Sequence, residues 1–452
     1  MNRPRRTPEG YVPGAIALQA LPLLSDYLPA DARLMAAAVC RSWRTALAPP
    51  ELWRRLILTE SVPGRLPAAC VLALASKRAA GQLEFLDISD AVTCIHAEQL
   101  LAALRDNPGS ICELRLGLAF QTCLRPMGYG DLTCAQKATL LVAAAPGLRR
   151  IYATDMRCKV EASLPLYACT QLAGRLRVRR LALVCDQASD HELTAALREA
   201  AACEPEELCL DGACLGLVTM DAVADLAATP MLRSVMLWNC KVLPGAEPAL
   251  RRLLAAPGLR SLLLCERPID AAAAAALAQG VAASTSLHSL TFDNMALWAN
   301  ADVATPLLRA AVGHPSLRKL SVCENKARRR PGAVAPRDAG TLLAAVLTAP
   351  GGALEELDLC ACKLRDDGMA PLVAALPHAV ALRRLHMADS GVSEHFASGP
   401  LTRAVRAAPR LLGHLSWRAA ERSGLLHQAQ GVLDKRSGTE EDDDSEVIEM
   451  VG

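Results

Sequence analysis

The chain has 452 residues, with 49 Lys and Arg against 47 Asp and Glu and a net charge of +2, a balance that points to neither a nucleic-acid surface nor a membrane surface. Hydrophobic residues make up 52% and aromatics only 3%, so aliphatic core is plentiful and rings for stacking single-stranded nucleic acid are scarce. The length exceeds one ordinary compact domain, but an array of repeats, each packed only on its neighbours, escapes that limit.

Residues 1–12 are basic and contain proline with no apolar run behind them, so they are read as a disordered tail and not as a secretory leader. Residues 13–60 predict three short helices, over 16–27, 31–39 and 40–48. Leu28-Pro29 breaks the first from the second, Asp31 is placed to cap the second, and Pro49-Pro50 ends the third. So short a segment buries little alone and needs the first repeat or a partner to pack on. It carries Tyr27-Leu28-Pro29, then Val39-Cys40-Arg41-Ser42-Trp43, then Leu52-Trp53-Arg54-Arg55-Leu56, in an order and spacing that resemble an F-box. The resemblance implies a helical module that docks on the Skp-type adaptor of a cullin-RING ubiquitin ligase. Leu28, Pro29, Leu34 and Val39 would then line the contact, and Trp43 and Trp53 would knit the module to the repeats. The alternative is a cap covering the apolar end of the first repeat. Residues 61–82 are read as a linker helix.

From residue 83 to 430 the pattern L-x-x-L-x-L recurs. Its members include Leu83-Leu86-Ile88, Ile111-Leu114-Leu116, Leu148-Ile151-Ala153, Val178-Leu181-Leu183 and Pro205-Leu208-Leu210. They continue through Leu232-Val235-Leu237, Leu259-Leu262-Leu264, Leu287-Leu290-Phe292, Leu317-Leu320-Val322, Leu354-Leu357-Leu359 and Leu382-Leu385-Met387, and Leu412-Leu415-Trp417 falls where a last member would. Starts at 178, 205, 232, 259, 287 and 317 give intervals of 27, 27, 27, 28 and 30. Insertions rich in Gly, Pro or Arg occupy 119–135 and 325–338, which places them in loops.

Each interval pairs an alternating strand with an alanine- and leucine-rich helix, as over 271–283, 339–347 and 368–376. The uncharged stretch from Ala271 to Phe292 is too polar to span a membrane. Parallel strands sit about 4.8 Å apart and packed helices about 8–10 Å apart. The predicted shape is therefore a horseshoe with a concave parallel sheet and convex helices, an α/β solenoid. Three residues past each strand's last apolar position stand Cys240, Asn325, Cys362 and Ser390, where a small or polar side chain can satisfy inward-pointing carbonyls. Leu232–Val242 and Leu354–Leu364 resemble the leucine-rich-repeat family in its ribonuclease-inhibitor-like form. That likeness is specific for fold and nearly silent on ligand.

No chemistry-bearing set emerges: there is no phosphate-binding glycine loop, no His-Glu-x-x-His and no base beside a nucleophile. The seventeen cysteines read as free thiols of a reducing compartment. Cys360 and Cys362, like Cys209 and Cys214, lack partners at zinc-finger spacing and are read as small buried hydrophobes, with no metal or cofactor expected.

Recognition fits better. Residues flanking the strand leucines point to the concave face: Trp238, His288, Asp293, Arg318, Lys319, Glu355, Glu356, Asp358, Arg383, Arg384 and His386. Their signs alternate in blocks, which suits either a charge-complementary partner or neighbouring repeats that neutralise each other. Trp238 is either a contact hot spot or, one register step away, a core residue.

Seven of the 47 acids lie between Glu440 and Glu449, so residues 431–452 are read as a disordered acidic tail. The resemblances together imply a non-catalytic, cytoplasmic or nuclear adaptor, monomeric within a hetero-complex. It would hold the ligase core at one end and an unknown protein substrate on its repeats, with no nucleic acid or membrane. Alternatives are a repeat scaffold or inhibitor without a ligase link, and a Ran-type GTPase regulator.

Overall fold

The computed structural model describes residues 30–39, 41–58, 66–89, 95, 97–116, 140–160, 176–185, 188–325 and 333–411, with backbone alone at 97, 153–159 and 176. The predicted helix over 16–27, the insertion over 119–135 and the acidic tail lie outside these residues. Two compact units are distinguished, one formed by Met1–Ala182 with Arg198–Pro205 and the other by Leu183–Leu197 with Glu206–Gly452.

The first unit begins with helices α1 (Ala30–Val39) and α2 (Arg41–Ala46) and a 3-10 turn at Pro50–Trp53. Strand β1 (Arg55–Ile57), helix α3 (Ala68–Arg78), β2 (Phe85–Asp87), α4 (Ala97–Arg105), β3 (Glu113–Arg115) and β4 (Arg150–Lys159) follow, and then β5 (Leu176–Val184), which reaches the boundary of the unit. β1 to β4 run parallel with their central apolar residues in line: Leu56 opposite Leu86, Leu86 opposite Leu114, and Leu114 opposite Ile151. The sheet thus starts at Arg55, inside the segment read as wholly helical and one strand before Leu83. A three-residue strand is too short to show a period. What sets it is the ladder: the amides of Glu84 and Phe85 both donate to Arg54 O, at 2.8 and 3.0 Å.

In the second unit the alternation is regular. After α5 (Asp190–Ala200) come β6 (Glu207–Asp211), the short β7 (Cys214–Leu215), α6 (Leu217–Ala227), β8 (Ser234–Trp238), the short β9 (Lys241–Val242) and α7 (Glu247–Leu254). β10 (Ser261–Cys265), α8 (Ala271–Ala283), β11 (Ser289–Asp293), α9 (Ala301–Ala311), β12 (Lys319–Ser321), α10 (Pro336–Thr348), β13 (Glu356–Asp358), α11 (Arg365–Ala375) and β14 (Arg384–His386) complete it. The sheet order is β6-β8-β10-β11-β12-β13-β14, with β7 and β9 forming a separate pair. The main strands are parallel throughout.

The repeat period and the register are one fact. Val235, Leu262, Leu290, Leu320, Leu357 and Leu385 line up across six strands, each almost wholly buried. A fully buried side chain of this size contributes about 1.5–3 kcal/mol. The chain is a leucine-rich-repeat solenoid: strand, turn and helix repeat along it, and α6 to α11 pack each on the next.

Helix ends follow local chemistry. α8 spans the predicted 271–283, capped by Asp270, whose carboxylate accepts from the Ala273 amide at 2.8 Å. α10 begins three residues before the predicted 339, because Pro336 is admissible in a first helical turn. α10 and α11 approach closely at Gly340 and Gly368; a Cβ on Gly340 would sit 1.8 Å from Gly368 O. In the turn after β12, buried Asn325 accepts from the amides of Met295 and Leu297 at 3.0 and 2.8 Å and donates to Phe292 O, Val322 O and Cys323 O. In the equivalent turns after β8 and β13, the thiols of Cys240 and Cys362 donate to Leu210 O and Val322 O. Among the described residues, no helix is long and apolar enough to cross a membrane.

Candidate interaction surfaces

Two surfaces arise, one in each unit. In the first, α1 has an inner and an outer stripe at helical spacing. Ala30, Arg33, Leu34 and Ala37 are buried. Ala32, Met35, Ala36 and Val39 face outward, with Met35 49% and Val39 67% exposed. Positions i, i+3, i+4 and i+7 share a face, so this outer stripe is apolar where a solvated helix would carry charge. Leu34, named from sequence beside Val39, instead turns inward at 7% exposure. Leu28 and Pro29 lie outside the described residues. Met35 stands four residues before Val39 on the same outward stripe.

The inner stripe shows how α1 is held. The Arg33 guanidinium is buried and donates to Leu52 O and Arg55 O, tying α1 to the 3-10 turn and to the first residue of β1. Both Arg33 and Arg78, the latter from α3, lie 5.2 Å from the Trp53 ring centroid. Trp53 is wholly buried and its indole N–H donates to Leu47 O at 2.8 Å. Trp43 is half-buried.

In the second unit the strand residues alternate as expected, leucines inward and flanking residues on the free sheet face. Trp238 ends β8 and is 38% exposed, with Asp211 and Cys265 as register partners, so it is a surface residue and not core. Asp293 ends β11 half-buried; burial first, then the Glu324 charge, pushes its carboxyl above the usual range.

Towards β14 the charged blocks pair in register. Arg318 meets Glu355 at 2.9 Å, Lys319 meets Glu356 at 2.6 Å, and Arg384 meets Glu356 from the other side at 3.2 Å. His386 Nε2 stands 4.0 Å from Glu356, and Arg383 is exposed beside them. These repeats therefore neutralise one another along the sheet. Asp358 accepts the Cys360 amide at 3.0 Å. Its side chain lies with the thiols of Cys323 and Cys360 in one group of ligand atoms, all within 4.8 Å of one another. Burial pushes the thiols of Cys240 and Cys265 up to about 12. The Cys323 thiol is raised as well, first by its hydrogen bond with Cys360 and then by burial.

Residues 20–59 match the F-box-like family. No curated protein matches the chain. Among solved structures it is similar to a chain of the Rad7 and Elc1 complex in yeast, at 15% identity over 91% of this chain and 92% of that one, with a TM-score of 0.40. It is also similar to the TLR13–ssRNA13 complex, at 16% identity over 72% of this chain, with a TM-score of 0.34, and spans 38% of that chain's length.

Proposed function

We propose that this chain, an F-box-like segment joined to leucine-rich repeats, recruits substrates to an SCF-type cullin-RING ubiquitin ligase. The observation that carries the reading is the coincidence of the F-box-like match over 20–59 with α1, whose outward stripe is apolar. An amphipathic surface helix keeps charge on its outer face. Here Ala32, Met35, Ala36 and Val39 take that place, and a Skp-type adaptor would cover them. A protein substrate would dock on the strand face, with Trp238 as an anchor. Arg318, Lys319, Glu355, Asp358, Arg383, Arg384, His386 and Asp293 would supply polar contacts around it. The chain makes no bond itself; it holds a substrate lysine near the loaded enzyme, an effect of position.

The test is capture of a purified Skp-type adaptor by the full chain, beside Met35→Asp, Val39→Asp and a Leu28→Ala, Pro29→Ala double variant. Met35 and Val39 are exposed, so their substitution should leave the fold intact by circular dichroism. A charge in a buried contact weakens binding by about ten-fold or more. Capture by the parent and loss in the aspartate variants is the expected result. No capture by a folded parent would refute the ligase reading and leave a capped repeat scaffold.

A further inference from the structure

The one group of metal-ligating side chains among the described residues sits on the free face of the sheet in the second unit. Ser321 on β12 is the register partner of Asp358 on β13, and the ladder continues past the strand ends. The Val322 amide donates to Asp358 O at 2.9 Å and the Glu324 amide to Cys360 O at 2.8 Å. Cys323 is thereby seated beside Asp358 and Cys360, though 35 and 37 residues separate them in the chain. All three are half-buried, neither sealed in the core nor loose on the surface.

We propose that Cys323, Asp358 and Cys360 form a binding site for a borderline-soft divalent cation, of which Zn²⁺ is the representative. Two thiols and a carboxylate are the donor types zinc takes. A three-ligand set leaves the fourth tetrahedral position to water or to a side chain from a bound protein. Zinc–sulfur and zinc–oxygen bonds of about 2.3 and 2.1 Å place ligand atoms roughly 3.5 Å apart, a contraction that half-exposed side chains at strand ends allow. Binding exchanges two thiol protons for two metal–sulfur bonds, with no change of oxidation state.

Second contacts orient the set as metal sites require. The Cys360 amide holds one Asp358 oxygen, and the Ser321 hydroxyl lies 3.1 Å from Cys323 Sγ. On β11, Asp293 Oδ1 is shielded from solvent with no hydrogen-bond partner. The site needs only the repeat fold and does not rest on adaptor binding.

The test uses the full chain, reduced and stripped of metal, titrated with Co²⁺ as the probe and then with Zn²⁺ in competition. One equivalent should give sulfur-to-cobalt charge-transfer absorption and tetrahedral ligand-field bands, which Zn²⁺ displaces. Cys323→Ser and Cys360→Ser should each lose affinity by about a hundred-fold or more, and Asp358→Asn by at least about ten-fold with the thiolate bands kept. Cys70→Ser, at an exposed thiol elsewhere, should bind like the parent. Absence of these bands in the reduced parent overturns the proposal. So do bands that persist unchanged in the serine variants. If a serine variant misfolds by circular dichroism, the Asp358→Asn affinity decides: unchanged binding there overturns the site.

Discussion

Replacing Arg33 by methionine keeps much of the apolar length of its stem and deletes the guanidinium. In the parent that group donates to Leu52 O and Arg55 O and lies over Trp53. The substitution strips two carbonyls of their partner, at about 1–3 kcal/mol each. Relief from burying a cation offsets part of this, and the expected net loss is about 2–4 kcal/mol. Because a repeat contacts only its neighbours, the loss should appear around α1, Trp53 and β1. Native-state hydrogen exchange reads it directly. The Leu58 amide, bonded to Asp87 O, and the Phe85 amide, bonded to Arg54 O, should exchange about 30- to 700-fold faster. The amides of Leu262 and Leu290 in the second unit should keep the parent rate. Unchanged exchange at Leu58 and Phe85 would refute the reasoning, since Arg33 would then not be what holds α1 to the sheet. Equal acceleration in both units would refute the claim that the effect is local.

Gly340→Ala drives a methyl into Gly368 O and should destabilise the second unit by about 1–3 kcal/mol or more, seen as a lower urea midpoint; a parent-like midpoint would mean α10 and α11 separate freely. Asn325→Ala removes five hydrogen bonds, four of them buried, from the turn after β12 and should cost about 3–5 kcal/mol in the same titration; a loss under about 1 kcal/mol would show that water replaces them. Asp293 has a raised folded pKa, so the stability it contributes is present below the usual carboxylate range and lost as pH rises through the folded value. With chelator present, Asp293→Asn should therefore melt above the parent at pH 7, with the gap closing in acid; a gap independent of pH would contradict the assignment.

Much of the architecture was legible along the chain. The 27-residue spacing of the leucine triads, the alanine-rich stretch at 271–283 and the motif residues from Val39 to Trp43 each depend on neighbours within a few turns. Period and side-chain type therefore reveal them. That Trp238 faces solvent also follows from alternation, once its register is known.

Tertiary structure decided what depends on residues far apart in sequence. β1 is a strand only because Arg54 O meets the amides of Glu84 and Phe85. Leu34 and Met35 are equally apolar, and which one faces inward depends on where Arg33 and Trp53 anchor α1. The charged blocks at 318–319, 355–356 and 384 neutralise one another because parallel register sets them side by side. Cys323 meets Cys360 for the same reason. A solenoid turns separations of about thirty residues into the spacing of one strand, and the insertion at 325–338 stretches that separation to 37 for the thiols. Local composition reports the period of the repeat; only the register reports which side chains share a surface.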